Sequence, residues 1–143
     1  MIRIVRDSSP VGESFVLSEL RSENREKCSW LRENTHPDDK HYNFMLYDST
    51  ELIGGAAGYI AYDWYFLELL YIKTEYRGRK SGCELLSEIE RFAKQRNLTG
   101  IRLETWDFQA RGFYEKLGYS VWGVLDDCPP GTKLFLMKKL LRS

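Results

Sequence analysis

Between Phe66 and Thr105 the chain runs through an apolar stretch, a basic glycine-bearing loop, an amphipathic stretch and an alternating stretch. That succession constrains the fold more than any other feature. "YFLELLYIK" (Tyr65 to Lys73) is nearly continuously apolar, the pattern of a strand covered on both faces. From Cys83, residues Leu85, Leu86, Ile89, Phe92 and Ala93 recur at helical spacing, with Asn97 as the stop. "GIRLETW" then alternates as a half-buried strand. A strand–loop–helix–strand unit is a crossover, so its two strands should be parallel and its hand right.

The flanking segments make the sheet mixed. "YNFMLYD" and "LIGGAAGYIAYD" read as a hairpin turning at Asp48 and Ser49. Gly54, Gly55 and Gly58 would weaken a strand there unless a backbone or ligand approaches closely. Ala110, Phe113, Tyr114 and Leu117 mark a short helix closed by Gly118. "YSVWGVL" and "TKLFLMKKLL" are two final strands, with Pro130 and Gly131 as the central pair of a type II turn. Near the start, "IRIV" (Ile2 to Val5) reads as a short strand. Glu13 to Asn34 reads as one or two amphipathic helices kinked near Ser22 to Asn24, and "THPDDK" as a loop. The expectation is one α/β domain over residues 1–143, mixed α+β, with six to seven strands and about four helices.

Bulk properties narrow the function. The 143 residues are 43% hydrophobic and 14% aromatic, which suits a packed core and excludes a disordered chain. Twenty-one basic residues balance 21 acidic ones. Broad binding to nucleic acid or anionic membrane needs a cationic surplus that this chain lacks. Cys28, Cys83 and Cys128 show no metal-ligand spacing, and His36 and His41 merely flank "PDDK". The expectation is three reduced thiols, no metal, no membrane span, and a cytoplasmic location.

The loop Arg77, Gly78, Arg79, Lys80, Ser81, Gly82 lies between a strand and a helix start. Amide N–H groups at a helix N-terminus lack intrahelical partners, and the helix dipole makes that end positive. Glycines let successive N–H groups turn toward one anion. The residues therefore suit a phosphate, although a solvated basic loop would look the same. A P-loop is excluded because Arg79, not Gly, precedes Lys80-Ser81, and neither "RGRKSG" nor "GGAAG" matches the dinucleotide fingerprint.

This loop after an apolar strand resembles motif A of the GNAT superfamily, the GCN5-related N-acetyltransferases. Arg77 takes the motif's first place and Gly82 its last, while Lys80 stands where Gly is usual. "FQARGFYEKLGY" resembles motif B, and the strand order matches throughout. The later part of the chain looks like small bacterial members. The resemblance implies an acetyl-CoA-dependent N-acetyltransferase with a gap between two splayed parallel strands, here Tyr65 to Lys73 and Gly100 to Thr105. It implies that backbone groups of Leu70, Tyr71 and Ile72 pair with the pantetheine arm. The loop of Arg77, Gly78, Arg79, Lys80, Ser81 and Gly82 would hold the pyrophosphate.

Acetyl transfer to an amine requires loss of an ammonium proton and a proton for the departing thiolate. By resemblance Tyr114 is the acid, although it also lies on its helix's apolar stripe. Glu68 interrupts an apolar strand, where burial would raise its pKa and make it a base near neutral pH. A structural carboxylate bonded to a helix or to Arg77 is the competing role. Asp107 is a reserve base or a helix N-cap. The acceptor, a primary amine of a small molecule or peptide, would meet aromatic residues among Trp30, Tyr42, Tyr62, Trp64, Tyr65 and Trp106, with Glu33, Asp38 and Asp39 as possible attractions for a cation. A non-catalytic acyl-CoA-binding module on the same fold is the alternative. A homodimer could form through "LFLMKKLL", whose lysines could equally guard a sheet edge.

Overall fold

The computed structural model describes residues 1–34 and 41–142. "THPDDK", with Asp38 and Asp39, lies outside the described residues. The chain divides into two compact units, Met1–Asp38 and Asp39–Ser143.

The first unit contains α1 (Pro10–Lys27) and α2 (Ser29–Asn34). The Ser9 hydroxyl accepts from the Val11 N–H at 3.2 Å and Pro10 takes a first-turn position, so the start of α1 is capped and prearranged. The break falls at Cys28, whose φ of −128° and ψ of 113° are extended, rather than near Ser22 to Asn24. Ile2 to Val5 is not a strand; those residues take no regular structure. Four residues do not hold an extended ladder without a neighbouring strand to pair with.

The second unit is built on six strands. They are β1 (Phe44–Asp48), β2 (Glu51–Ala61), β3 (Trp64–Ile72), β4 (Gly100–Trp106), β5 (Ser120–Asp126) and β6 (Lys133–Leu140), in the order β1-β2-β3-β4-β6-β5. The expected crossover holds, because β3 and β4 pair in parallel and all other neighbours are antiparallel. Helix α3 (Ser81–Gln95) joins them, and α4 (Arg111–Lys116) follows β4. The "LFLMKKLL" strand, β6, lies between β4 and β5, so it is neither a free edge nor available to pair across a dimer.

Helix α3 buries Leu85, Leu86, Ile89 and Ala93, one helical stripe, against a sheet face that carries Tyr65, Leu67, Ile101, Leu103 and Met137. Tyr65 is fully buried, and its hydroxyl donates to the Tyr42 carbonyl at 2.8 Å, which satisfies the one polar atom of the ring. Several turns form as their residues suggest: Asn97 ends α3 at φ 57° and Gly118 ends α4 at φ 93°. The Thr132 N–H donates to the Pro129 carbonyl across Pro130 and Gly131. Close approach explains Gly58, where a Cβ would lie 2.4 Å from the Phe66 carbonyl oxygen.

Candidate active site

The two parallel strands pair over four positions, from Trp64↔Gly100 to Leu67↔Leu103, and then part. Strand β3 continues to Ile72 and β4 to Trp106. Beyond Leu67, β3 keeps β2 on one side, through Ala56↔Leu70, Gly55↔Tyr71 and Gly54↔Ile72. Its other side, toward β4, has no strand alongside Leu70, Tyr71 or Ile72 among the described residues. An extended chain can fill that edge by adding main-chain hydrogen bonds. The Ile72 carbonyl already accepts from Arg77 Nε at 2.8 Å.

The parting coincides with a β-bulge. Ala57 opposes Leu69 and Gly58 opposes Leu67, which leaves Glu68 without a partner in β2. A bulge adds a residue, twists the strand and redirects a side chain. Here it reverses the alternation, so Glu68, Leu69 and Tyr71 are exposed while Tyr65 and Leu67 are buried. The uniformly apolar run is therefore not covered on both faces. The expectation of a buried Glu68 fails with it: its side chain is 41% exposed. Glu68 Oε1 faces His41 Nδ1 at 3.9 Å, and neither a helix nor Arg77 binds the carboxylate.

The basic loop closes the wide end of the gap. The N–H groups of Gly78, Lys80, Ser81, Gly82 and Cys83 take no acceptor from the described residues, whereas that of Arg79 closes a turn over Arg77 and Gly78. They precede or open α3, where the helix dipole adds positive potential. Lys80, in the place where Gly is usual, does adopt the left-handed conformation, at φ 63° and ψ 8°. Gly78 is also left-handed, at φ 77°. Arg77 lies over the Tyr71 ring at 5.5 Å and Arg79 over the Tyr76 ring at 5.2 Å. Neither arginine, nor Lys80, is ion-paired among the described residues. Tyr76 anchors the loop from below, donating to Asp48 Oδ2 at 2.8 Å. Lys73 meets Glu51 at 2.8 Å beside it.

Tyr114 lies on α4 and is 7% exposed, with Phe113 and Tyr119 against its ring. Burial pushes its phenol up to about 12, so it stays protonated at neutral pH. Its hydroxyl has no hydrogen-bond partner among the described residues, and it is not sealed from solvent. Asp107 has another function: its carboxylate accepts from the Lys133 N–H at 3.1 Å, and its own N–H donates to the Lys133 carbonyl. Ala110, not Asp107, precedes the first turn of α4. No cluster of three metal-ligating side chains occurs among the described residues.

The GNAT acetyltransferase family model matches residues 10–119, about three-quarters of the chain. The chain belongs to the GNAT acetyltransferase family. It is 31% identical over 133 residues to blasticidin-S acetyltransferase from Streptomyces morookaense, covering 87% of this chain and 98% of that protein. An acetyltransferase from Bacillus cereus superposes with a TM-score of 0.81 at 22% identity, over 96% of this chain and 97% of that one. An aminoglycoside 6'-N-acetyltransferase complexed with coenzyme A superposes at 0.68 and 20% identity, over 100% and 98%. Membership makes this chain an N-acetyltransferase, with acetyl-CoA as its co-substrate.

For a GNAT enzyme, the structure brings the strand edge of Leu70 to Ile72 and the loop from Arg77 to Gly82 to one end of the β3–β4 gap. Glu68 stands at the point where the gap opens. His41, which in the sequence merely flanks "PDDK", stands beside Glu68, and nothing local links the two across 27 positions.

Proposed function

We propose that this GNAT enzyme transfers acetyl from acetyl-CoA to a primary amine of a small molecule or peptide, by direct attack of the amine on the thioester. The N–H groups of Gly78 and of Lys80 to Cys83, which have no acceptor among the described residues, carry the reading. Water meets such N–H groups when nothing else binds, and a pyrophosphate supplies charged acceptors for several at once. Arg77, Arg79 and Lys80 add unpaired positive charge around them. The open edge of Leu70, Tyr71 and Ile72 suits the amide-bearing pantetheine arm. We take residues 1–143 as a single acetyltransferase domain, since the family match spans parts of both units.

Acetyl-CoA supplies the thioester carbonyl. In the overall exchange a C–N bond forms, a C–S bond breaks, the amine loses a proton and the thiolate gains one. Tyr114 is the proton donor for the thiolate. A phenol held protonated by burial suits that step, and a hydroxyl without a fixed partner is free to donate. Glu68, with His41 beside it, forms the base side. The small-molecule acceptor is favoured over the peptide because the 31%-identical relative is named for a small antibiotic.

Calorimetric titration with acetyl-CoA, using acetate and ATP as controls, tests the cofactor reading. Saturable binding of acetyl-CoA alone is expected. An amine panel then follows by mass spectrometry: blasticidin S, kanamycin, spermidine, free amino acids and a short peptide. A mass gain of one acetyl group on at least one amine is expected, and a protein that binds acetyl-CoA but acetylates none of them would overturn the proposed acceptor class.

A further inference from the structure

A carboxylate in water is a weak base at neutral pH, because its ordinary pKa lies near 4.3, whereas an imidazole titrates near 6.5. Glu68 is 41% exposed and stands where β3 and β4 part. The structure instead places an imidazole beside it. His41 Nδ1 lies 3.9 Å from Glu68 Oε1, at ion-pair distance.

His41 is placed by the sheet. It forms a lone antiparallel bridge with Tyr59, and the two rings lie 5.8 Å apart. Tyr59 meets Phe66 edge-on at 5.4 Å, and Arg102 lies over Phe66 at 4.7 Å. This row crosses one sheet face at the level where β3 and β4 part. Beside His41 stand Glu68 from β3 and Tyr59 from β2, with Arg102 of β4 over Phe66 further along the same row.

We propose that His41 Nε2 takes the proton from the acceptor ammonium, and that Glu68 is a positioning residue acting through it. Glu68 accepts a hydrogen bond from Nδ1–H, which fixes the tautomer that leaves the Nε2 lone pair free. The proton moves from the ammonium to Nε2, the carboxylate stabilises the imidazolium that forms, and the proton then passes to water. The freed amine lone pair attacks the carbonyl. This rests on the transferase reading above.

Two measurements test it. Nitrogen-15 spectra of the two histidine rings at about pH 8.5, assigned with His36→Gln, read the tautomer without any acceptor. Wild type should show Nδ1–H at His41, and Glu68→Gln should return the ring to the Nε2–H form. Turnover is then measured with the best amine from the panel. His41→Gln should lower kcat roughly 100-fold, with binding of acetyl-CoA by calorimetry unchanged. Glu68→Gln should lower kcat in wild type but have no further effect in the His41→Gln background.

An unchanged tautomer in Glu68→Gln, His41→Gln activity within twofold of wild type, or equal effects of Glu68→Gln in both backgrounds would each overturn the proposal. If no amine of the panel is acetylated, the proposed acceptor class fails and this inference falls with it. The ring spectra would still separate that failure from the absence of the pair.

Discussion

A Cβ added to Gly82 would stand 3.0 Å from Cζ of Phe113. The second residue of α3 therefore packs directly against the residue before Tyr114, and the basic loop is coupled to the helix that carries the proposed acid. Gly82→Ala should be destabilising even though alanine is the better helix former by about 1 kcal/mol. Overpacking costs about 1–3 kcal/mol, so a net loss of about 1 kcal/mol is expected in urea unfolding. Phe113→Leu in the same chain should recover part of it.

Lys80 holds a left-handed backbone at φ 63° without a side-chain cap hydrogen bond. That conformation costs a non-glycine residue roughly 1–2 kcal/mol. Lys80→Gly should therefore raise the unfolding free energy by about 1 kcal/mol, after glycine's larger entropy loss is subtracted. Acetyl-CoA affinity should fall a few-fold if the ammonium contacts a phosphate, which calorimetry at low and high salt would read.

Tyr114→Phe keeps the ring and its packing, so the melting temperature should change little. Loss of a general acid should lower kcat about 100-fold, with a much smaller change in KM for acetyl-CoA. Turnover within twofold of wild type would remove Tyr114 from the mechanism.

Alkaline stability has a definite sign. Burial raises the phenol of Tyr114 from 10.0 to about 12, and raises those of Tyr65 and Tyr119 as well. The folded state thus holds these protons more tightly than the unfolded state does. For Tyr114 the contribution is full below pH 10 and is lost as pH rises through 12, by about 2 kcal/mol at that point, and for Tyr65 and Tyr119 the loss runs to still higher pH. Tyrosinate absorbance during an alkaline titration should show exposed tyrosines ionising first, with these three following only as the protein unfolds.

Lys139 and Glu90 form the least exposed ion pair among the described residues, at 2.6 Å, and Lys139 also donates to the Leu117 carbonyl at 2.8 Å. Lys139→Ala would leave the carboxylate and the carbonyl without that partner. A loss of about 3 kcal/mol is expected by urea unfolding. Lys139→Met with Glu90→Leu should lose markedly less, since no charge remains unpaired.

Much of the architecture was legible in local pattern. The spacing of Leu85, Leu86, Ile89 and Ala93 has only one helical reading. The alternation of Gly100 to Trp106, with α3 before it, forces a parallel neighbour for β3. The loop from Arg77 to Gly82 could be read as anion-binding because unpaired N–H groups at a helix start are a local property. Ile2 to Val5 was misread for the opposite reason, since strand formation depends on a partner that four apolar-rich residues do not specify.

What the sequence by itself determined was therefore the set of elements, their order and the loop that suits a phosphate, because those follow from periodicities and turns within a few residues. Tertiary structure decided the register. The bulge at Glu68 turns one carboxylate outward, exposes Leu69 and Tyr71, and sets the point where β3 leaves β4. Cross-strand pairing also brought His41 beside Glu68 and tied Asp107 to Lys133. Such contacts depend on how strands from distant parts of the chain align, and a one-residue shift in that alignment moves a side chain to the opposite face.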